Sequence, residues 1–268
     1  MAARAVAIRR ASIEDYPTFV RLFPELGIDD PVPGRDAWAA GYAPFTLMAS
    51  GDGADALGFA FTQEYADTGY VRNVVVAPEA RRRGVGRALM EATARHLRGA
   101  GKARWRLNVG PQNVAARALY ESLGMRALYT SRAVRLPWAT AAALPASDEV
   151  VDEGAPARDA ELEALFDLPR GQLAAQRGVG RVVLAARAGE RLRGVAVFAP
   201  AFPGAFPFRA LERGAARRLI EAMRARVADR SHVNLVIDDD EGLVSLLVAA
   251  GAEVRGAFLH LAGALPTV

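Results

Sequence analysis

The sequence predicts an α/β protein made of two similar halves, a reading carried by three observations. A β-branched run, Val74-Val75-Val76, ends at Pro78 and passes through an arginine loop into Gly84-Val85-Gly86. Beyond that loop Val85, Ala88, Leu89, Ala92 and Leu97 recur at helical spacing. Around this strand-loop-helix unit, alternating strands and periodic helices succeed one another up to residue 136, and the same order returns in the second half. A length of 268 residues suits two domains of ordinary size, and 51% hydrophobic residues suffice for two cores.

Taken in order, residues 5–10 alternate like a strand, and Ser12 with Glu14 and Asp15 marks a helix start with acids at its positive end. That helix is expected to run to Phe23. The turn-rich stretch from Pro24 to Pro33 precedes a short helix over residues 35–41. Residues 45–49 and 56–64 read as a hairpin closed by Gly51-Asp52-Gly53, and residues 70–76 as the next strand. The helix opening at Gly84 is expected to stop at Gly99 and Gly101. Residues 105–109 form a strand. Asn113 stands at an N-cap position ahead of a helix that closes at Gly124, and residues 125–136 supply one or two final strands.

Composition narrows the chemistry. Without cysteine there is no disulfide, thiolate nucleophile or cysteine metal site, and the scattered His96, His232 and His260 lack ligand spacing, so no metal is expected. All 34 basic residues except Lys102 are arginine, and the net charge of +4 suits a small anionic ligand. Basic runs interleaved with aromatics are missing, which argues against nucleic acid. No apolar run reaches the roughly 18 residues of a membrane span, and the N-terminal stretch has no signal-peptide core, so a cytoplasmic protein is expected.

The loop Arg81-Arg82-Arg83-Gly84-Val85-Gly86-Arg87-Ala88 presents first-turn N–H groups and cationic side chains, for which an anion is the natural guest. A lone Gly-x-Gly also serves as a simple turn beside a solvated arginine face. The dinucleotide fingerprint is excluded because Leu89 stands where its third glycine belongs, and a P-loop because Lys102 is followed by Ala103. What remains, Arg81-x-x-Gly84-x-Gly86, resembles the acyl-CoA loop of the GNAT superfamily of acyltransferases. A second motif agrees: Asn113, Leu119-Tyr120 and Leu123-Gly124 match that family's helix beside the cofactor.

The resemblance, which covers residues 4–137, implies a mixed, mostly antiparallel twisted sheet flanked by helices. It implies acetyl-CoA as co-substrate, its pantetheine arm pairing with the backbone of Val74, Val75 and Val76 as an added strand and its pyrophosphate meeting the loop from Arg82 to Ala88. Asn113 and Tyr120, seven residues apart, share one helix face. Tyr120 is the expected general acid, since a phenol with an ordinary pKa near ~10 matches a departing thiolate; it also lies beside the packing stripe of Ala116, Leu119 and Leu123. No carboxylate lies in residues 71–76, so Glu64, at the end of the preceding strand, is the nearest general base, acting through water.

The alanine-rich stretch 139–147 reads as a linker between a catalytic domain, residues 1–137, and a second domain, residues 148–268. With an offset of 127, Trp105-to-Gly124 lies on His232-to-Gly251, and with an offset of 130, Gly84-to-Leu97 lies on Gly214-to-Val227. In this copy Arg81 becomes Leu211, Gly86 becomes Ala216, Asn113 becomes Asp240 and Tyr120 becomes Leu247. Its equivalent of the strand before the loop is expected to be interrupted by Pro200, Pro203 and Pro207. The sequence therefore reads as two tandem GNAT-like domains, the second degenerate and non-catalytic. The expected function is acetyl transfer from acetyl-CoA to a primary amine in a ternary complex, by a monomer. A non-catalytic acyl-CoA-binding or regulatory module is the alternative.

Overall fold

The computed structural model describes residues 6–27, 31–51, 56–201, 203–227 and 230–266. Asp52 and Gly53 of the expected hairpin turn lie outside the described residues. Contacts divide the chain into two compact units, one of residues 1–108, 115–126 and 262–268, the other of residues 109–114 and 127–261.

The first unit holds β1 (Ala7–Arg10), α1 (Tyr16–Leu22), α2 (Arg35–Ala37), β2 (Thr46–Ser50), β3 (Ala56–Glu64), β4 (Thr68–Val76), α3 (Val85–Gly99), β5 (Arg104–Val109) up to Asn108 and α4 (Val114–Ser122) from Ala115 onward. Strands β1 to β4 pair antiparallel in sequence order, and β5 joins β4 in parallel. A parallel neighbour requires a crossover, which α3 supplies. Leu89, Met90, Ala94 and Leu97 of α3 are fully buried. The core closes around Phe19 of α1, whose ring stacks on Trp38 at 4.5 Å and lies 5.4 Å from Phe59 of β3. The expected first helix is divided: a 3-10 turn over Ile13–Asp15 precedes α1, and a second one containing Pro24 follows it. Pro24 lacks the N–H that the α-helix needs there.

The second unit holds β6 (Arg126–Pro137) from Ala127 onward, β7 (Val150–Glu153), α5 (Asp159–Leu165), α6 (Gln172–Gly178), β8 (Val182–Ala188), β9 (Arg191–Ala199), β10 (Gly204–Ala210), α7 (Arg213–Arg224), β11 (His232–Asp238), α8 (Glu241–Ala249) and most of β12 (Glu253–Ala264). Its strand order is β12-β6-β11-β10-β9-β8-β7, with β10 and β11 parallel. The internal repeat is real at the level of elements, because shifting α4 by the offset of 127 gives α8 residue for residue.

Two expectations about the second half are corrected. The division is not the contiguous one at residues 137 and 148: β6 pairs antiparallel with β11 from Ser131↔Asp238 to Pro137↔His232, which groups it with the second unit. Nor is 139–147 a linker. Residues Trp138–Ala143 form a 3-10 helix, and Ala141 and Leu144 are buried in the core with Leu136, Leu219 and Val244, where their apolar side chains lose their contact with water. Among the described residues no helix is long and apolar enough to cross a membrane.

Candidate active site

The site is built on β4. Its register with β3 slips between Phe61 and Thr62: Phe61 faces Asn73 and Thr62 faces Val71, so the register steps over Arg72. Such a bulge bends a strand and increases its twist. On the other side the parallel pairing with β5 runs from Thr68↔Arg104 to Val71↔Leu107 and stops there, while β4 continues to Val76. The backbone edge of Val74, Val75 and Val76 is thus not used by β5, the condition for an extended ligand to add as a strand. Arg72 and Asn73 mark the bulge, and sequence reasoning alone does not single them out. Their trace in the sequence is the polar pair that interrupts an otherwise apolar strand.

Beyond Val76 the chain makes a 3-10 turn over Pro78–Ala80 and enters the arginine loop. Arg81 holds the loop in place, its Nε donating to Val76 O at 3.1 Å and its Nη2 to Glu25 Oε2 at 2.6 Å. Arg82, Arg83 and Gly84 are exposed, and both Arg82 (φ 63°) and Gly84 (φ 82°) adopt the left-handed conformation. For Gly84 that φ explains the residue type. Gly86 differs, because a Cβ placed there would meet Leu119 Cδ2 at 3.5 Å and Val76 Cγ2 at 3.7 Å, ordinary van der Waals distances. The first bond of α3 runs from Ala88 N–H to Gly84 O, which leaves the N–H groups of Val85, Gly86 and Arg87 at the positive end of a helix with no acid in its first turn. Arg87 donates to Ser122 Oγ at 2.9 Å and so ties α3 to α4.

Tyr120 is buried near the C-terminal end of α4, 7% exposed, and burial pushes its phenol up to about 12, so it holds its proton at neutral pH. Asn113, just ahead of α4, is exposed. Glu64 lies elsewhere on the sheet. It pairs with Gly69, which faces Trp105 at the closed end of the β4–β5 ladder, and its carboxylate meets His96 Nε2 at 3.0 Å and Lys102 Nζ at 3.7 Å. The structure thus brings the loop, Val76 and the α4 residues Leu119 and Ser122 together and leaves Glu64 outside that group.

The second unit repeats these elements and closes or shortens each feature. Pro207 does not break β10, contrary to the sequence expectation; it falls in a register shift between Ala205 and Phe208, where no ladder N–H is needed. Pairing with β11 then resumes at Phe208↔Ile237, two residues before β10 ends at Ala210, so the edge left there is shorter than the one beyond Val71 in β4. At the start of α7 a Cβ on Gly214 would lie 2.5 Å from Ser147 Cβ and 3.2 Å from Glu149 Oε2, so protein atoms already cover that helix end.

The family model described as Acetyltransferase (GNAT) family matches residues 7–125. The [Ribosomal protein bS18]-alanine N-acetyltransferase of Escherichia coli (strain K12) is 42% identical over 83 residues, which are 31% of this chain and 54% of that protein. The chain therefore spans about half the length of the curated relatives it matches. Among solved structures, the GCN5-related N-acetyltransferase from Sphaerobacter thermophilus superposes with a TM-score of 0.67 at 15% identity, over 98% of this chain and 97% of that one. The tandem GNAT protein from the clavulanic acid biosynthesis pathway gives 0.59 at 16% identity, over 98% and 100%. These likenesses establish the fold.

Proposed function

We propose that this chain, whose residues 7–125 match the acetyltransferase (GNAT) family model, transfers acetyl from acetyl-CoA to a primary amine within its first unit. The observation that carries the reading is the end of β4–β5 pairing at Val71, five residues before β4 itself ends and leads into the loop and α3. Acetyl-CoA supplies the acyl group as a thioester. Val74, Val75 and Val76 offer backbone groups to its pantetheine arm. The N–H groups of Val85, Gly86 and Arg87, the turn at Gly84 and the exposed Arg82 and Arg83 suit its pyrophosphate. Arg81 shapes this loop through Val76 and Glu25. Ala88 closes it with the first bond of α3, and Asn113 stands ahead of α4.

Tyr120 holds the proton that the departing thiolate takes as the amine nitrogen forms its bond to the carbonyl carbon and the carbon–sulfur bond breaks. The phenol regains a proton from the one the amine sheds. Glu64 has no part in this scheme, since its carboxylate is engaged by His96 and Lys102. The second unit is taken as non-catalytic, with Leu247 in the place of Tyr120. The relative's name makes an N-terminal alanine the first acceptor to try. The test is release of free thiol from acetyl-CoA with peptides beginning in alanine and with small primary amines. Acceptor-dependent release with a stoichiometric N-acetyl product is expected; thiol release that is the same with and without any amine contradicts the reading.

A further inference from the structure

The free edge of β4 resolves into single backbone groups. Ala77 N–H donates to Leu57 O at 2.9 Å, and Gly58↔Val76 is the next pair of the β3–β4 ladder. Bonded and non-bonded pairs alternate along an antiparallel ladder, so Val76 turns its N–H and C=O away from β3, and Val74, opposite Ala60, does the same. These groups point to the side where β5 pairing has ended at Val71. One of them is already used, because Arg81 Nε donates to Val76 O at 3.1 Å. An extended ligand is left with both groups of Val74 and the N–H of Val76.

Arg81 is held on that carbonyl by Glu25. Its Nη2 donates to Glu25 Oε2 at 2.6 Å, a charge-assisted bond, and Glu25 lies in the 3-10 turn Phe23–Leu26. Phe23 fixes this turn beside the loop, since its ring is buried with Ala77, Ala80 and Val85. The acid therefore stands on a wall that apolar packing already holds, and the guanidinium spans from it to the last residue of β4. The side chains of Arg81 and Glu25 are 50% and 35% exposed, so the pair adds little to stability.

We infer that Glu25 is a positioning residue for the cofactor: acting through Arg81, it closes the edge at Val76 O and so sets how far along β4 an added strand can run. This rests on the reading of the β4 edge as the seat of the pantetheine arm. An arm stopped there enters the loop at a fixed point, with Arg81 committed to the strand end and Arg82 and Arg83 exposed for the phosphates. Glu25 itself takes no part in the chemistry. By charge alone, removing an acid beside a phosphate site should tighten binding; the positioning role predicts the reverse.

The test is calorimetry of the full chain with acetyl-CoA, with thermal unfolding alongside. Glu25→Ala is expected to weaken binding about three- to fivefold at an unchanged melting temperature, and Glu25→Gln, which keeps an acceptor without the charge, to weaken it less. Arg81→Ala should weaken binding at least as much as Glu25→Ala. The double variant should bind no more weakly than Arg81→Ala alone, because Glu25 acts only through that side chain. Glu79→Ala removes an exposed acid of the same loop and should leave affinity within about twofold, which controls for charge. Unchanged or tighter binding in Glu25→Ala, or additive losses in the double variant, overturns the inference and leaves the acetyl-CoA reading standing. Absence of acetyl-CoA binding by the parent overturns both.

Discussion

Arg213 spans both carboxylate oxygens of Asp240, with Nη2 2.7 Å from Oδ1, and this pair occupies the positions that Arg83 and Asn113 hold in the first half. Burial pushes the Asp240 carboxyl up, but the Arg213 guanidinium and the Leu243 N–H outweigh it and hold the group below the usual aspartate range. An arginine gripped by an internal carboxylate is not available to phosphate. Asp240 also caps α8, so Asp240→Ala should lower stability by about 1–2 kcal/mol in denaturant unfolding. It should create no second acetyl-CoA site, because the β10–β11 ladder runs on to Phe208↔Ile237.

The two loop glycines should behave differently. Gly84→Ala forces a side chain into φ 82° and should cost about 1 kcal/mol and weaken acetyl-CoA binding, whereas Gly86→Ala meets open van der Waals distances and should be nearly neutral. Gly214→Ala is no inert control for either, since its Cβ would strike Ser147, and it should lower the melting temperature. Paired calorimetry and thermal unfolding of the three variants would show this order; equal effects at positions 84 and 86 would refute it.

Tyr120→Phe removes one hydroxyl and should lower turnover by roughly 10²–10⁴-fold with acetyl-CoA affinity near that of the parent. Leu247→Ala, at the equivalent and fully buried position of the second unit, should leave the chemistry and cost about 2–5 kcal/mol of stability. Unchanged turnover in Tyr120→Phe removes the phenol from the mechanism and returns weight to a binding module without catalysis.

Burial pushes the Asp238 carboxyl up to about 6, against the pull of Arg209, from an ordinary 3.8. The folded state therefore binds this proton more tightly than the unfolded chain. The stability it contributes is complete below pH 3.8 and is lost as pH rises through 6, a difference of about 3 kcal/mol at most. Asp238→Asn should flatten the unfolding free energy between pH 4 and pH 6.5 in urea titrations. A slope in that window identical to the parent's would show that another group sets it.

Much of the fold is legible in the sequence because it is written in local patterns. The periodicity of Val85, Leu89, Ala92 and Leu97 and the repeat that lays α4 on α8 need no knowledge of distant contacts. What the sequence hides is long-range. Nothing local in residues 127–137 says that β6 pairs with β11, and the alanine-rich stretch after it looks like a linker until Leu144 is seen buried. Pro207 misleads because a bulge can absorb a missing N–H, and register is invisible before pairing. In the site, the motif marks the loop and Tyr120, while the engagement of Glu64 by His96 and of Arg81 by Glu25 depends on residues 32 and 56 positions away.

The central claim is that one unit of the pair carries a cofactor site and the other has closed its own. Isothermal titration of the full chain with acetyl-CoA tests it most directly. The account predicts saturation at one acetyl-CoA per chain, weakened by Gly84→Ala and indifferent to Asp240→Ala beyond its effect on stability. Saturation at two per chain, or one site that survives unchanged in Gly84→Ala, would contradict it.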